Sequence, residues 1–184
     1  PPVCAAAAAD YILLAPIAST TTYLVDRAGE VVHAWASTAR PGQAVYLLDN
    51  GDLLRTEVAP SGVFSGGGIG GRVTRYTWEG AIAWTYAYAS DTHQQHHDAI
   101  ALPNGHVVLV AWETVPDAIA RGRDPAMMPA QGALWADHLV EIDPATDAIV
   151  WEWHLIDHLV QDRDPALPAY GAVADHPERV DINA

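Results

Sequence analysis

The densest group of side chains able to do chemistry in this sequence is a run of histidines followed by an aspartate. The segment Asp91–Gly105 reads DTHQQHHDAIALPNG and contains His93, His96, His97 and Asp98. Near neutral pH an imidazole can act as a nucleophile, as a general acid or base, or as a donor to a developing anion. Imidazole and carboxylate groups also bind metal ions, and some strand histidines serve only as hydrogen-bonding groups. Three interpretations therefore stand side by side: group transfer, metal binding and a structural role.

A second group of titratable side chains follows the last predicted strand. The segment WEWHLIDHLVQDRDP contains His154, Asp157 and His158. If residues 155–161 are helical, His154 and His158 share one face and could bind a metal ion. The segment lacks the HExxH pattern of zinc proteases, so we favour a helix end with solvated carboxylates.

Two types of β-hairpin alternate along the chain and would position these groups. The first type has an acidic turn and a tryptophan late in its second strand. The second type turns at Asn-Gly, which predicts a type I′ turn because both central residues then need positive φ. Four strands per roughly fifty residues is the repeat of a propeller blade, so we predict an all-β fold of β-propeller blades with four antiparallel strands. The first type lies at Tyr23–Trp35, Arg75–Tyr88 and Val140–His154, and the second at Val45–Thr56 and Ala99–Trp112.

These hairpins make about two and a half blades, whereas a closed propeller has about four to eight. An open arc leaves unpaired strand edges, which favour association. We therefore expect residues 1–184 to form a single partial propeller domain, completed by missing C-terminal blades or by further copies of the chain. A short helical insertion is expected at Pro116–Arg121. The expected parts are an outer hairpin of an incomplete blade (23–36), one blade (45–88), a second blade (97–154) and a connection of loop and helix (155–184).

The histidine run would enter the innermost strand of a blade, and such strands line the central channel of a propeller. Because side chains alternate along a strand, we expect His96 and His97 to point to opposite faces, with only one of them facing the channel. The glycine run at 65–71 lies between the two hairpins of one blade. It predicts a tight structural loop rather than a phosphate-binding loop, because no Lys-Ser/Thr pair follows it.

Charge and composition exclude several classes of protein. The net charge is −14, and all nine basic residues are arginine. No cluster of arginines offers a basic surface, so we expect no nucleic-acid binding. The longest apolar run is interrupted by Asp10 and Pro16, so no membrane insertion is expected. Cys4 is the only cysteine, which excludes an intrachain disulfide and a cysteine-based zinc site.

Several collinear words resemble the arylsulfotransferase family over nearly the whole chain. They are STTTYLVDRAGEVVHAW, VYLLDNGDLLRT, SDTHQQHHDAIALPNGHVVLVAWE, LWADHLVEIDP and IVWEWHLIDHLVQDRDP. The resemblance implies a six-bladed propeller, of which this chain is the N-terminal half, with its active site in the central channel. It also implies sulfuryl transfer from a phenolic sulfate ester to a phenol through a histidine intermediate, with no nucleotide donor and no cofactor. Family members are usually exported, so the resemblance implies a periplasmic or secreted protein.

The word HHD-x-x-x-LPNG of this family matches His96, His97 and Asp98. The resemblance implies that this strand supplies an assisting channel histidine, with His96 preferred to His97, and that His93 and Asp98 contact the substrate. The family's nucleophilic histidine and sulfate-binding arginine lie in later blades, so we expect this chain to lack the nucleophile. No metal is assigned to these residues. Two alternatives remain: a non-catalytic ligand-binding propeller assembled from several chains, and a His/Asp metal-binding module.

Overall fold

The structure is a computed structural model that describes residues 10–123 and 133–172. Within these ranges the chain forms three antiparallel sheets, which bears out the all-β prediction. In each sheet the strands lie side by side in the order of the chain, so each strand pairs with the strands that precede and follow it within that sheet. The first sheet has β1 (Ile12–Leu14), β2 (Thr21–Val25) and β3 (Val31–Ala36); the second has β4 (Pro41–Leu47), β5 (Leu53–Val58), β6 (Gly71–Tyr76) and β7 (Ile82–Ala87); the third has β8 (His93–Ala101), β9 (Val107–Val115), β10 (Leu134–Asp143) and β11 (Ala148–His154).

The Asn-Gly turns form hairpins where the sequence predicts them, but their geometry differs from type I′. Gly51 and Gly105 have φ values of 87° and 88°, whereas the asparagines before them are not among the described residues with positive φ. The N–H groups of these two glycines donate to the carbonyls of Leu48 and Leu102, at 2.8 and 2.9 Å. A turn of this kind needs glycine only at its last position, where the left-handed conformation is cheap.

The predicted helical segments are shorter than expected. Residues 116–122 form consecutive turns, in which the N–H of Arg121 donates to the carbonyls of Asp117 and Ala118. After β11 the chain forms a 3₁₀ helix at Leu155–Asp157 and then continues as turns. In the described part of the chain, no helix is long and apolar enough to cross a membrane.

The core consists of buried apolar side chains at the faces where neighbouring sheets meet. Trp35 and Leu24 of the first sheet pack against Leu53 and Tyr76 of the second. A larger cluster joins the second sheet to the third, and a smaller one covers the end of the third sheet around Leu155. Burial of such side chains stabilises a fold by roughly 1.5–3 kcal/mol each. The larger cluster contains Leu54, Val73, Trp84, Tyr88, Ala99, Val107, Leu109, Ala111, Val140 and Ile142.

A repeated polar contact also links each sheet to the next. The indole N–H of Trp84 on β7 donates to Asp147 in the β10–β11 turn, at 2.8 Å. In the preceding pair of sheets, Nε2 of His33 on β3 donates to the carbonyl of Trp78 in the β6–β7 turn, at 2.7 Å. Both residues stand directly beside the register shift of their hairpin, and Trp151 on β11 has the same place in the third sheet. Trp151 is 46% exposed.

Candidate functional site

The histidine run lies on β8, the edge strand of the third sheet, and a bulge interrupts the strand there. Gln95 pairs with Ala111 and Ala99 pairs with Leu109, so β8 carries two more residues than β9 over this interval. The residues concerned are His96–Asp98, and His97 has a φ of 48°, in the left-handed region. A bulge of this kind breaks the alternation of side chains. The expectation that His96 and His97 point to opposite faces is therefore wrong: their rings meet at right angles, with Nδ1 atoms 2.9 Å apart.

His96 is the buried member of the pair and is held on three sides. Its Nε2 atom lies 2.9 Å from Oδ1 of Asp137 on β10, and its Nδ1 atom faces His97. Its ring stacks on Trp112 with a centroid distance of 4.2 Å. Only 1% of His96 is exposed, so both of its nitrogens are engaged within the protein. His97 is the member of the pair that reaches the surface, and the preference for His96 as a channel-facing histidine stays a prediction.

His97 is partly exposed and rests on the glycine run, as expected for a tight structural loop. The N–H of His97 donates to the carbonyl of Gly68 at 2.7 Å. A Cβ atom on Gly68 would overlap the imidazole of His97, and a Cβ on Gly70 would overlap the amide of Gln95. The glycines therefore allow the loop to lie directly against the bulge, which fixes the position of the His97 ring.

The pKa of His97 is lowered, first by burial and then by the neighbouring His96, while Asp137 and Asp98 act in the opposite direction. A neutral imidazole carries one N–H and one free nitrogen. At neutral pH, His97 therefore presents an uncharged ring at the surface of the bulge.

Asp98 and His93, the two predicted substrate contacts, lie in different surroundings. Asp98 is exposed at the bulge, where its carboxylate accepts the hydroxyl of Tyr46 on β4 at 3.0 Å. His93 lies at the beginning of β8, opposite Glu113, and its ring stacks on Tyr88 at 4.0 Å. Burial lowers the pKa of His93. The structure thus brings Asp98 together with the histidine pair and leaves His93 at the other end of the strand.

Tyr46 also lines an open cleft of about 670 Å³ between the second and third sheets. The cleft is bounded by the two Asn-Gly turns and includes the side chains of Arg75, Trp84 and Ile100. Its walls combine aromatic and aliphatic surface with one guanidinium, which pairs loosely with Asp52 at 3.7 Å. The contact between Tyr46 and Asp98 therefore links the wall of this cleft to the bulge.

A second histidine cluster crosses the third sheet and is linked to His93 through Tyr88. The Tyr88 hydroxyl lies 2.8 Å from Nε2 of His138, which stacks on His154 with a centroid distance of 5.3 Å. His154 in turn pairs with Glu113 at 2.9 Å. Burial, with the nearby His154 and His93, lowers the pKa of His138 to about 4. This cluster is enclosed by its own partners and presents a neutral interior histidine.

The predicted pairing of His154 with His158 does not occur, because the helical pattern ends after one turn. His158 stacks on Trp153 with a centroid distance of 4.7 Å. His154 instead contacts Glu113. Among residues 10–123 and 133–172, no group of three His, Cys, Asp or Glu side chains could hold a metal ion. Within that part of the chain, no geometry favours the metal-binding interpretation.

Sequence reasoning also missed a buried carboxylate in the second sheet. Glu57 accepts hydrogen bonds from Ser37 at 2.6 Å, Tyr76 at 2.7 Å and Thr74 at 2.9 Å, and it pairs with Arg72. Burial alone would raise the pKa of Glu57, but these donors together lower it. A signal was present, because a guanidinium and a carboxylate stand between the apolar ends of the strand LLRTEV. Its full enclosure indicates a structural network rather than a site of reaction.

Asp137 is the residue in contact with the bulge that sequence reasoning missed. It lies on β10, and 41 residues of sequence separate it from His96. The word LWADHLVEID contains it, but a single aspartate before a histidine carries no indication of a partner on another strand. Only the pairing of β8, β9 and β10 brings the two side chains together.

The described residues thus form successive antiparallel meanders, with a histidine pair supported by an aspartate at the bulge of an edge strand. The family model described as "Arylsulfotransferase (ASST)" matches residues 8–181. This chain belongs to the arylsulfotransferase family. No curated protein matches it.

Two solved structures are similar to parts of this chain. A protein of unknown function from Bacteroides caccae has a TM-score of 0.49 and 18% identity, over 78% of this chain and 45% of that one. BamB from Moraxella catarrhalis has a TM-score of 0.22 and 10% identity, over 78% of this chain and 60% of that one. The chain therefore spans less than two thirds of either structure, and both similarities are too low to indicate a function.

Proposed function

We propose that this chain forms part of an aryl-sulfate sulfotransferase that moves a sulfuryl group from a phenolic sulfate ester to a phenol through a histidine intermediate. The observation that carries the proposal is the bulge of β8, where a partly exposed imidazole rests against a buried His–Asp pair. Preorganised donors and acceptors of this kind stabilise charge that develops during group transfer. Membership of the arylsulfotransferase family supports the choice of sulfuryl as the transferred group.

We propose further that the sheets are successive blades of a propeller and that β4 and β8 line its channel. These two edge strands contact each other, and each is the first strand of its sheet. Each also carries a two-residue bulge: Pro41 pairs with Glu57 and Val45 with Arg55, as in the bulge of β8. Repetition of the same irregularity in successive sheets supports a single blade design.

The proposed ring is larger than this chain. His33 and Trp84 each donate to the outer turn of the following sheet, whereas the equivalent Trp151 is 46% exposed. Ile149 and Val150 beside it are also exposed, so β11 offers an apolar edge. We propose that a further blade, from a C-terminal continuation or from another copy of the chain, covers this edge. A blade of the same kind would give Trp151 the turn acceptor that its equivalents have.

In this proposal His97 assists the reaction and a histidine outside this chain becomes sulfated. His97 offers the ring nitrogen that is not bonded to His96, while Asp98 and the Tyr46 hydroxyl contact the phenolic part of the substrate. His93 lies at the other end of β8 from the histidine pair. Its contact with the substrate therefore stays a prediction from the sequence. Export to the periplasm or beyond the cell also belongs to the proposal, and fractionation of cells would test it.

The test is sulfuryl transfer from 4-nitrophenyl sulfate to phenol. The amount of 4-nitrophenolate released measures the transfer. The assay uses the longest form of the protein that contains this chain, beside the 184-residue chain alone. We expect turnover in the longer form and none in the short chain. In the longer form, His97→Ala should turn over at least about a hundredfold more slowly than the unsubstituted protein. His106→Ala is the matched control, because His106 lies on the surface and pairs with Glu141. Undiminished turnover after joint replacement of His96 and His97 by alanine would refute the proposal.

A ring that binds aryl sulfates without transferring the group is the remaining alternative. It predicts saturable binding of 4-nitrophenyl sulfate to an assembled multimer of this chain, with no 4-nitrophenolate released. Native mass spectrometry combined with the same assay separates the two functions.

A further inference from the structure

The contacts at the β8 bulge specify which nitrogen carries each proton. Asp137 is an acceptor when ionised, so Nε2 of His96, 2.9 Å away, must donate to it. In a neutral His96 the other nitrogen, Nδ1, is then without a proton and must accept. Its partner at 2.9 Å is Nδ1 of His97, which therefore donates. Nε2 of His97 then carries a lone pair. It is the last nitrogen of this hydrogen-bonded series, on the residue that is partly exposed.

We propose that Asp137 is the positioning residue of this site and that Asp137, His96 and His97 form a proton relay ending at Nε2 of His97. When a proton bonds to Nε2 of His97, the Nδ1–H bond of His97 breaks and an Nδ1–H bond forms on His96. The positive charge then resides on His96, directly beside the Asp137 carboxylate. Release of the proton reverses each of these bond changes.

The surroundings of the relay favour this direction of charge movement. Asp137 is itself buried, with 4% exposed, and an ion pair with a protonated His96 would offset the cost of that burial. The ring of His96 is fixed by stacking on Trp112, and His97 is fixed by its hydrogen bond to Gly68. The other ionisable groups near His97 are Asp98, on the same strand, and Tyr46 on β4. The hydroxyl of Tyr46 donates to the Asp98 carboxylate.

The inference rests on the proposed function for its use in a reaction. A phenol that accepts a sulfuryl group loses its hydroxyl proton: its O–H bond breaks, an O–S bond forms, and the bond from sulfur to the donor breaks. The relay would take up the released proton at Nε2 of His97. The tautomers themselves are independent of any reaction and can be measured without it.

The first test is long-range proton–nitrogen NMR of the ¹⁵N-histidine-labelled chain at a pH of about 8, above the ordinary pKa of histidine. We expect the Nε2–H tautomer for His96 and the Nδ1–H tautomer for His97. Finding neutral His97 with its proton on Nε2 would overturn the proposal. This measurement needs no variant, so it decides the matter even if a substitution at Asp137 prevents folding.

The second test compares titrations of His97 in Asp137→Asn and Glu141→Gln. Asn keeps the size of the side chain and removes its charge, so we expect proton affinity at His97 to fall at least about tenfold. Glu141 lies on the same strand and contacts His106 at 2.6 Å rather than the histidine pair, so the titration of His97 should be unchanged in Glu141→Gln. No shift in Asp137→Asn, or an equal shift in both variants, would refute the relay.

Activity separates the relay from the proposed function. In the transfer assay, Asp137→Asn should move the acid limb of the pH–rate profile by as much as it moves the His97 titration, which a merely structural residue would not do. A protein with the expected tautomers and titrations but no sulfuryl transfer would support the relay and count against the function.

Discussion

Replacement of Gly68 by alanine tests whether the glycine run holds His97 in place. Gly68 has a φ of 77°, and an added Cβ would overlap the His97 ring. An L-residue in the left-handed region costs about 1–2 kcal/mol, before any displacement of the ring. Displacing the ring also removes the bond between His97 and His96, which contributes about 0.5–1.5 kcal/mol. We therefore expect Gly68→Ala to lower the free energy of unfolding by about 1.5–3.5 kcal/mol.

Two other glycines separate the causes. Gly80 has a φ of 87° and open space where its Cβ would stand, so Gly80→Ala should show the backbone cost alone, about 1–2 kcal/mol. Gly67 has open space and no positive φ, so Gly67→Ala should be neutral or stabilise by up to about 1 kcal/mol. The comparison of Gly68→Ala with Gly80→Ala therefore isolates the contact with His97.

The assay is unfolding in urea, monitored by tryptophan fluorescence. NMR of the His97 ring is recorded for each folded variant. The reasoning predicts that only Gly68→Ala changes the His97 signals. If Gly68→Ala and Gly80→Ala lose the same stability and leave His97 unchanged, the loop does not hold the imidazole, and this account of the site is wrong.

Two further predictions concern pH and buried charge. The pKa of His138 in the folded protein is about 4, below its unfolded value of about 6.5, so the unfolded chain binds the additional proton between these values. Stability should fall by about 3 kcal/mol as the pH drops through this window, and urea midpoints for His138→Gln should show a smaller loss. The pKa of Glu57 is held below its ordinary value, so its contribution is present at neutral pH and is lost as acid protonates the folded carboxylate. Glu57→Gln should cost about 3–5 kcal/mol at neutral pH, and thermal melts of the variant that match those of the parent chain would contradict the described network.

Hairpins and turns could be predicted because their signals are local. Asn-Gly turns, and acidic turns with Gly or Pro, stand within a few residues of the strands that they connect, and the four-strand rhythm follows from their spacing. The turn type was wrong at the Asn-Gly turns, because the bonds from Gly51 to Leu48 and from Gly105 to Leu102 depend on how the flanking strands pair.

The histidine run could be recognised, but its geometry could not. The bulge at His96–Asp98 is a property of the pairing between β8 and β9, so a strict alternation rule assigned His96 and His97 to opposite faces. Asp137 was missed for a related reason, since its partner lies on a strand two places away in the sheet. The sequence also favoured helix at 116–121, where turns form instead.

The bulge that holds His97 has a counterpart that holds no histidine. Gln43 stands at the matching place on β4, with a φ of 96° and an exposed side chain. The same backbone geometry therefore occurs on β4 and on β8, and only the bulge of β8 carries an imidazole. A lineage could exchange the side chain at either bulge without redesigning a strand, so new chemistry at this edge needs one codon rather than a new fold.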